Sequence, residues 1–156
     1  MTNPPDFPCE GGCICGTVRY RLLEDPLELH VCHCRNCQTV SGSAFVMCMP
    51  VHTRSLEMLK SDPAVVSFES PDGRAKRNRR CPTCGCCIWG EIDGLPEVVA
   101  LQAGTLDDTS WLEPVAHIWT SRAQPWVQIP KDVLAYEKQP DDNLEIVRAW
   151  KSRNHR

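Results

Sequence analysis

This 156-residue chain has no apolar run long enough to cross a membrane. Its apolar stretch at 44–51 falls far short of the roughly 18 residues that a span requires. No excess of positive charge is present either: 17 Lys and Arg stand against 20 Asp and Glu, a formal net charge of -3. That balance excludes a basic protein built to coat nucleic acid, and 42% apolar content excludes a disordered chain. The opening residues lack a basic segment followed by an apolar one, so no secretory signal is expected. Internal repeats and low-complexity linkers are missing as well. The resulting expectation is one cytoplasmic domain, 1–156, with no membrane or nucleic-acid partner.

Cysteine and proline, by contrast, are abundant, with 11 and 13 residues. A cysteine excess signals disulfides or metal. Disulfide scaffolds belong to short exported chains, and eleven cysteines cannot all pair within one molecule. Metal is the better reading.

Pro and Gly scattered along the chain suit short strands joined by turns. Strands are predicted at 17–23, 27–31, 44–51, 65–69, 75–80, 88–92, 98–102 and 117–121. In the first of these Val18, Tyr20 and Leu22 share one face. Helical spacing occurs only near 35–40 and at 144–150, in the tail. The fold class is therefore all-β.

Seven cysteines form three groups: Cys13-x-Cys15, Cys32-x-Cys34-x-x-Cys37 and Cys81-x-x-Cys84. A zinc tetrahedron with bonds of about 2.3 Å places sulfurs roughly 3.8 Å apart. C-x-C can meet that from extended backbone whose alternate side chains lean together. C-x-x-C meets it from a tight turn, with Pro82 presetting one φ and Gly85 permitting the exit. Two pairs make a closed four-thiolate structural site, and the remaining Cys32, Cys34 and Cys37 leave one position open, the catalytic pattern. A competing assignment joins the middle group to one flanking pair and leaves the other idle. Cys86 could replace Cys84, Cys87 and Cys48 read as core thiols, and Cys9 has no preferred role.

The motifs GGCICGTVRY, CHCRNCQTVSGS, CPTCG, GTLDD and HIWTSRAQPW together resemble the glutathione-dependent formaldehyde-activating enzyme family, which includes the centromere protein V relatives. The family-like region is about 9–137, leaving 138–156 as a tail with a short helix. The resemblance implies a compact β-tent fold and two Zn²⁺ per chain. Matched residue by residue, Cys13, Cys15, Cys81 and Cys84 would hold a structural zinc, and Cys32, Cys34 and Cys37 the active-site zinc. The implied reaction is a carbon–sulfur lyase step joining formaldehyde to glutathione as S-hydroxymethylglutathione. A rival from another class is a non-catalytic zinc module for a protein partner, which would need only the four-cysteine site. A methionine sulfoxide reductase of similar fold would want a late cysteine, and none follows Cys87.

Arg35, Gln38, Ser41 and Ser43 sit where they could bind a substrate carboxylate or peptide group, or supply caps and turns. His117 and Trp119 would share a strand face lining a pocket. His33, between two ligands, should point away from them on a strand. The basic run 74–80 enters Cys81, where cations offset thiolate charge. Asp107 or Asp108 could be a general base, although turn chemistry is the simpler role.

Overall fold

The computed structural model describes residues 5–70 and 73–154. Gly11, within the first short strand, explains how the fold starts. A Cβ there would lie 2.5 Å from both the Thr105 carbonyl oxygen and the Tyr20 hydroxyl, so only glycine lets the chains approach this closely. The strand is β1 (Cys9–Gly12), and it pairs antiparallel with β2 (Arg19–Leu22). β5 (Leu56–Met58) completes a three-stranded sheet in the order β1-β2-β5.

The second sheet has eight strands. They are β3 (His30–Cys32), β4 (Val46–His52), β6 (Ala64–Glu69), β7 (Ala75–Arg80), β8 (Cys87–Glu91), β9 (Val98–Gln102), β10 (Ala116–Ile118) and β11 (Leu134–Ala135). Their order is β11-β10-β3-β4-β9-β8-β7-β6. β10 runs parallel to β3 and β11, and the other pairs are antiparallel. Two α-helices, α1 (Arg35–Ser41) and α2 (Leu144–Asn154), and three short 3-10 turns complete the regular structure among the described residues. The all-β, tent-type expectation is met.

Val18, Tyr20 and Leu22 are fully buried, as their alternation predicts, with Leu29, Met49, Ile88 and Leu101. Tyr20 pairs its hydroxyl with Thr105 Oγ1 at 2.8 Å, which satisfies the polar end of a buried ring. The tail is part of this core. Ile146 and Trp150 of α2 are buried, and the Trp150 ring lies 6.5 Å from that of Trp111. Asp142 Oδ1 accepts from the Leu144 N–H and starts the helix.

Among the boundaries that differ from the sequence reading, three have clear local reasons. Thr17 and Val18 precede β2 because they belong to the turn carrying Cys13 and Cys15. Leu27 and Leu29 lie outside β3: Leu27 donates its N–H to Pro50, an irregular link beside two prolines. The strand expected at 117–121 ends at Ile118, since Trp119 has a φ of 59°. A positive φ is uncommon for a bulky residue, and strand alternation cannot continue through it.

Candidate metal centres

Cys13 ends the approach from β1, and its N–H and sulfur both engage Val18, through Cys13 N–H to Val18 O at 3.0 Å and Val18 N–H to Cys13 Sγ at 3.2 Å. Gly16 donates back to Cys13 O at 3.0 Å with a φ of 75°. The C-x-C pair therefore sits in a tight turn, not on the extended backbone expected from its spacing. The second turn is built alike. Gly85, at φ 74°, donates to Cys81 O at 2.9 Å, and the Cys84 N–H points at Cys81 Sγ at 3.5 Å.

These two turns bring together the sulfurs of Cys13, Cys15, Cys81 and Cys84, all within 4.8 Å of one another. Cys13 and Cys15 are 3.5 Å apart and Cys15 and Cys81 3.6 Å, near the edge of a zinc tetrahedron and far from a disulfide bond of about 2.05 Å. All eleven cysteines are free. The Thr17 hydroxyl and then its backbone N–H stabilise the Cys15 thiolate, pulling its pKa to about 6. Cys86 stays outside this group. Burial first, and then the neighbouring Cys84, Cys13 and Cys81, push its thiol up.

The other group is local. Cys32 ends β3, Cys34 is the N-cap of α1, and Cys37 follows one turn later, with its N–H directed at Cys34 Sγ at 3.4 Å. Their three sulfurs also lie within 4.8 Å of one another. Hydrogen bonds from the Cys32 and then the Cys37 thiol hold Cys34 far below the ordinary cysteine range, helped by backbone N–H groups of Cys37 and Asn36. Sharing with Cys34 and Cys37, together with burial, pushes Cys32 up. As thiolates these side chains are soft donors, and both groups could hold a metal ion. Cys48 is buried as expected, but its thiol also acts on Cys37 and raises it. The β3–β4 register sets Cys48 opposite His30, two positions along from the Cys32–Val46 pair, a proximity that ligand spacing in the sequence does not display.

Around this group the polar residues are tightly committed. Buried Gln38 donates to His33 O at 2.6 Å and Arg122 O at 2.9 Å, and accepts from Arg35 Nη1 at 2.6 Å and Gln124 Nε2 at 3.2 Å. It ties the 119–127 segment to α1. Ser41 Oγ donates to Cys37 O at 2.8 Å, and Ser43 is exposed with its N–H on Ser41 Oγ. His33 Nε2 and His117 Nδ1 are 2.9 Å apart, their rings stack, and both are buried. Trp119 does not share the strand face of His117, since it lies beyond the strand end.

Three arginines of the basic run have named partners. Arg77 and Arg79 both pair with Glu91, at 2.7 and 2.9 Å. Arg80 reaches the carbonyls of Gly85 and Val40. Asp107 receives both Arg19 guanidinium nitrogens, at 2.7 and 2.5 Å, and Asp108 accepts from the Ser110 N–H. A cavity of about 280 Å³ lies beside Arg77, Arg79, Trp89 and Glu91, and no cysteine lines it. No helix among the described residues is long and apolar enough to cross a membrane.

Comparison with known proteins agrees with this geometry. The family model described as glutathione-dependent formaldehyde-activating enzyme matches residues 8–122, and the chain belongs to that family. A crystal structure of a Rhodobacter sphaeroides protein is similar at 17% identity, covering 65% of this chain and 90% of that one with a TM-score of 0.50, a likeness of fold alone. No curated protein matches.

Proposed function

We propose that this member of the glutathione-dependent formaldehyde-activating family forms and cleaves a carbon–sulfur bond between a small thiol, glutathione foremost, and formaldehyde. The observation that carries the reading is the convergence of Cys32, Cys34 and Cys37, with no fourth His, Cys, Asp or Glu in their group among the described residues. Three protein donors with an open position mark a reactive zinc site, and four mark a structural one. The chemistry of both donor sets fits zinc, since thiolates are soft ligands. We therefore assign a structural Zn²⁺ to Cys13, Cys15, Cys81 and Cys84, and a second Zn²⁺ to Cys32, Cys34 and Cys37. Zinc at the second group would supply deprotonation of a bound thiol and polarisation of a small carbonyl.

The chain's own residues orient the reactants. The N-cap bond of Cys34 fixes one donor, and Gln38 locks the neighbouring 119–127 segment against α1. Arg35 is exposed beside this group and has spent Nη1 on Gln38, leaving other N–H groups for a substrate carboxylate. Ser43 offers an exposed hydroxyl. In the forward direction the sulfur pair attacks the formaldehyde carbon, the C=O π pair moves to oxygen, and that oxygen takes up a proton. The proton lost by the thiol balances it. Cleavage runs the same steps backwards.

One domain spanning 1–156 is supported by the burial of Ile146 and Trp150, which brings the tail into the common core. A cytoplasmic location fits eleven unpaired cysteines and a thiol co-substrate. Exchange NMR on formaldehyde and glutathione tests the reading. Intact protein should accelerate exchange and Cys34→Ser should not. Equal rates in buffer, variant and intact protein would remove formaldehyde as the substrate, and absence of glutathione binding as well would leave the protein-binding module.

A further inference from the structure

The two cysteine groups are joined by one side chain. β7 ends at Arg80, immediately before Cys81, and its pairing with β8 shifts register between Arg79 and Arg80. Such irregularities re-aim a side chain out of the regular alternation. Arg79 keeps the regular direction and meets Glu91 on β8. Arg80 instead donates from Nη1 to Gly85 O at 3.0 Å and from Nη2 to Val40 O at 3.5 Å.

Both acceptors are telling. Gly85 is the left-handed residue that closes the Cys81–Cys84 turn. Val40 lies in the last turn of α1, the helix that carries Cys34 at its N-cap and Cys37 inside it. The last carbonyls of any helix lack intrahelical donors. α1 has no basic residue in its own last turn, so Arg80 brings a donor from another element. The planar guanidinium fork suits this task, because its nitrogens point at two acceptors at once with little freedom left to lose. A lysine ammonium has no such fixed fork.

We infer that Arg80 is a positioning residue through which the Cys81–Cys84 turn sets the placement of α1, and hence of Cys34 and Cys37, for binding the second metal. This rests on the zinc assignments proposed above. Filling the four-thiol group fixes the turn, the turn fixes Gly85 O, and Arg80 carries that constraint to α1. The second zinc should then bind more tightly once the first is in place, and this coupling should vanish with the guanidinium.

The test is zinc titration of the full-length chain against a chromophoric chelator, with the second site identified by its loss in Cys34→Ser. Arg80→Met keeps most of the apolar stem and removes the donors. It should weaken the second zinc about tenfold and leave the first within about twofold. Arg80→Lys should recover only part of the loss. Arg79→Met removes the neighbouring charge and should behave as intact protein. Equal second-zinc affinity in intact protein, Arg80→Met and Arg79→Met would overturn the inference, as would an equal weakening by both variants. Should Arg80→Met fail to fold, amide hydrogen exchange in Arg80→Lys decides. Exchange at least fivefold faster confined to 36–42 supports the link, and unchanged exchange refutes it. If intact protein takes up only one zinc, the two-site assignment fails, while the exchange measurement still judges Arg80 separately.

Discussion

The four-thiol and three-thiol groups use the same side chain at similar spacing, yet they are opposite kinds of construction. Cys15 and Cys81 meet across 66 positions of sequence, each held in a turn with a left-handed glycine. Cys32, Cys34 and Cys37 need one strand end and a single helical turn. A metal that joins distant turns closes a long loop and removes much of the freedom of the unfolded chain. A metal held by neighbours in sequence closes almost nothing. The first arrangement can bear the fold, and the second can gain or lose a ligand without disturbing it.

The most severe test of this contrast is Cys81→Ser. A structural zinc contributes folding free energy on the order of 10 kcal/mol, comparable to the whole stability of a domain. We expect loss of the cooperative thermal transition and of both metals, read by calorimetry and metal analysis. A variant that melts within a few degrees of intact protein would show that the four-thiol group does not bear the fold.

Cys34→Ser comes next and should separate the groups. Near-intact circular dichroism, one retained zinc per chain and no acceleration of thiol–aldehyde exchange are expected. Unfolding as complete as that of Cys81→Ser would erase the distinction. Gly11→Ala follows with a smaller effect that begins on the four-thiol side. Its methyl meets Thr105 O and the Tyr20 hydroxyl at 2.5 Å, so β1 must shift. Overpacking of this kind costs about 1–3 kcal/mol. The chelator should then extract the first zinc faster, because β1 leads into Cys13, while the local geometry of Cys34 and Cys37 is kept. Denaturant melts and metal-release kinetics on one preparation measure both.

Much of this contrast is legible in the sequence, because ligand spacing is a local property that sequence displays directly. Val18, Tyr20 and Leu22 likewise announced their buried face, and the tail helix its period. What escaped depends on non-local packing. The strand β1 reads Cys-Glu-Gly-Gly, with no β-forming residue, and exists because Tyr20 and Thr105 close around Gly11. Trp119 looked like a strand residue until its φ of 59° ended the alternation. Gln38 read as a substrate contact or a cap. Its buried amide instead joins four partners, two of them at 122 and 124, a convergence that no spacing rule encodes.

The smallest predicted effect concerns the carboxylates of GTLDD, where sequence alone allowed a general base. Asp107 has each oxygen engaged by an Arg19 nitrogen, and that pair, ahead of other influences, holds its carboxyl below the ordinary value of 3.8. A carboxylate so stabilised is a weak base, and its place on the β1–β2 side puts it with the structural half of the molecule. Asp107→Asn should therefore leave thiol–aldehyde exchange unchanged. Its stability cost should be about 0–1 kcal/mol, since half the Asp107 side chain is exposed and solvent screens the pair. The sign follows from the lowered pKa: the contribution is present above pH 3.8 and is lost as the pH falls through the folded value. Near neutral pH the variant should thus melt slightly earlier than intact protein, and the gap should close in acid below that value. Urea melts of zinc-saturated protein at neutral pH measure the gap, and its narrowing is followed down to the lowest pH at which the metal stays bound. A variant of normal stability that loses exchange activity would move Asp107 into the reactive half and redraw the division between the two regions.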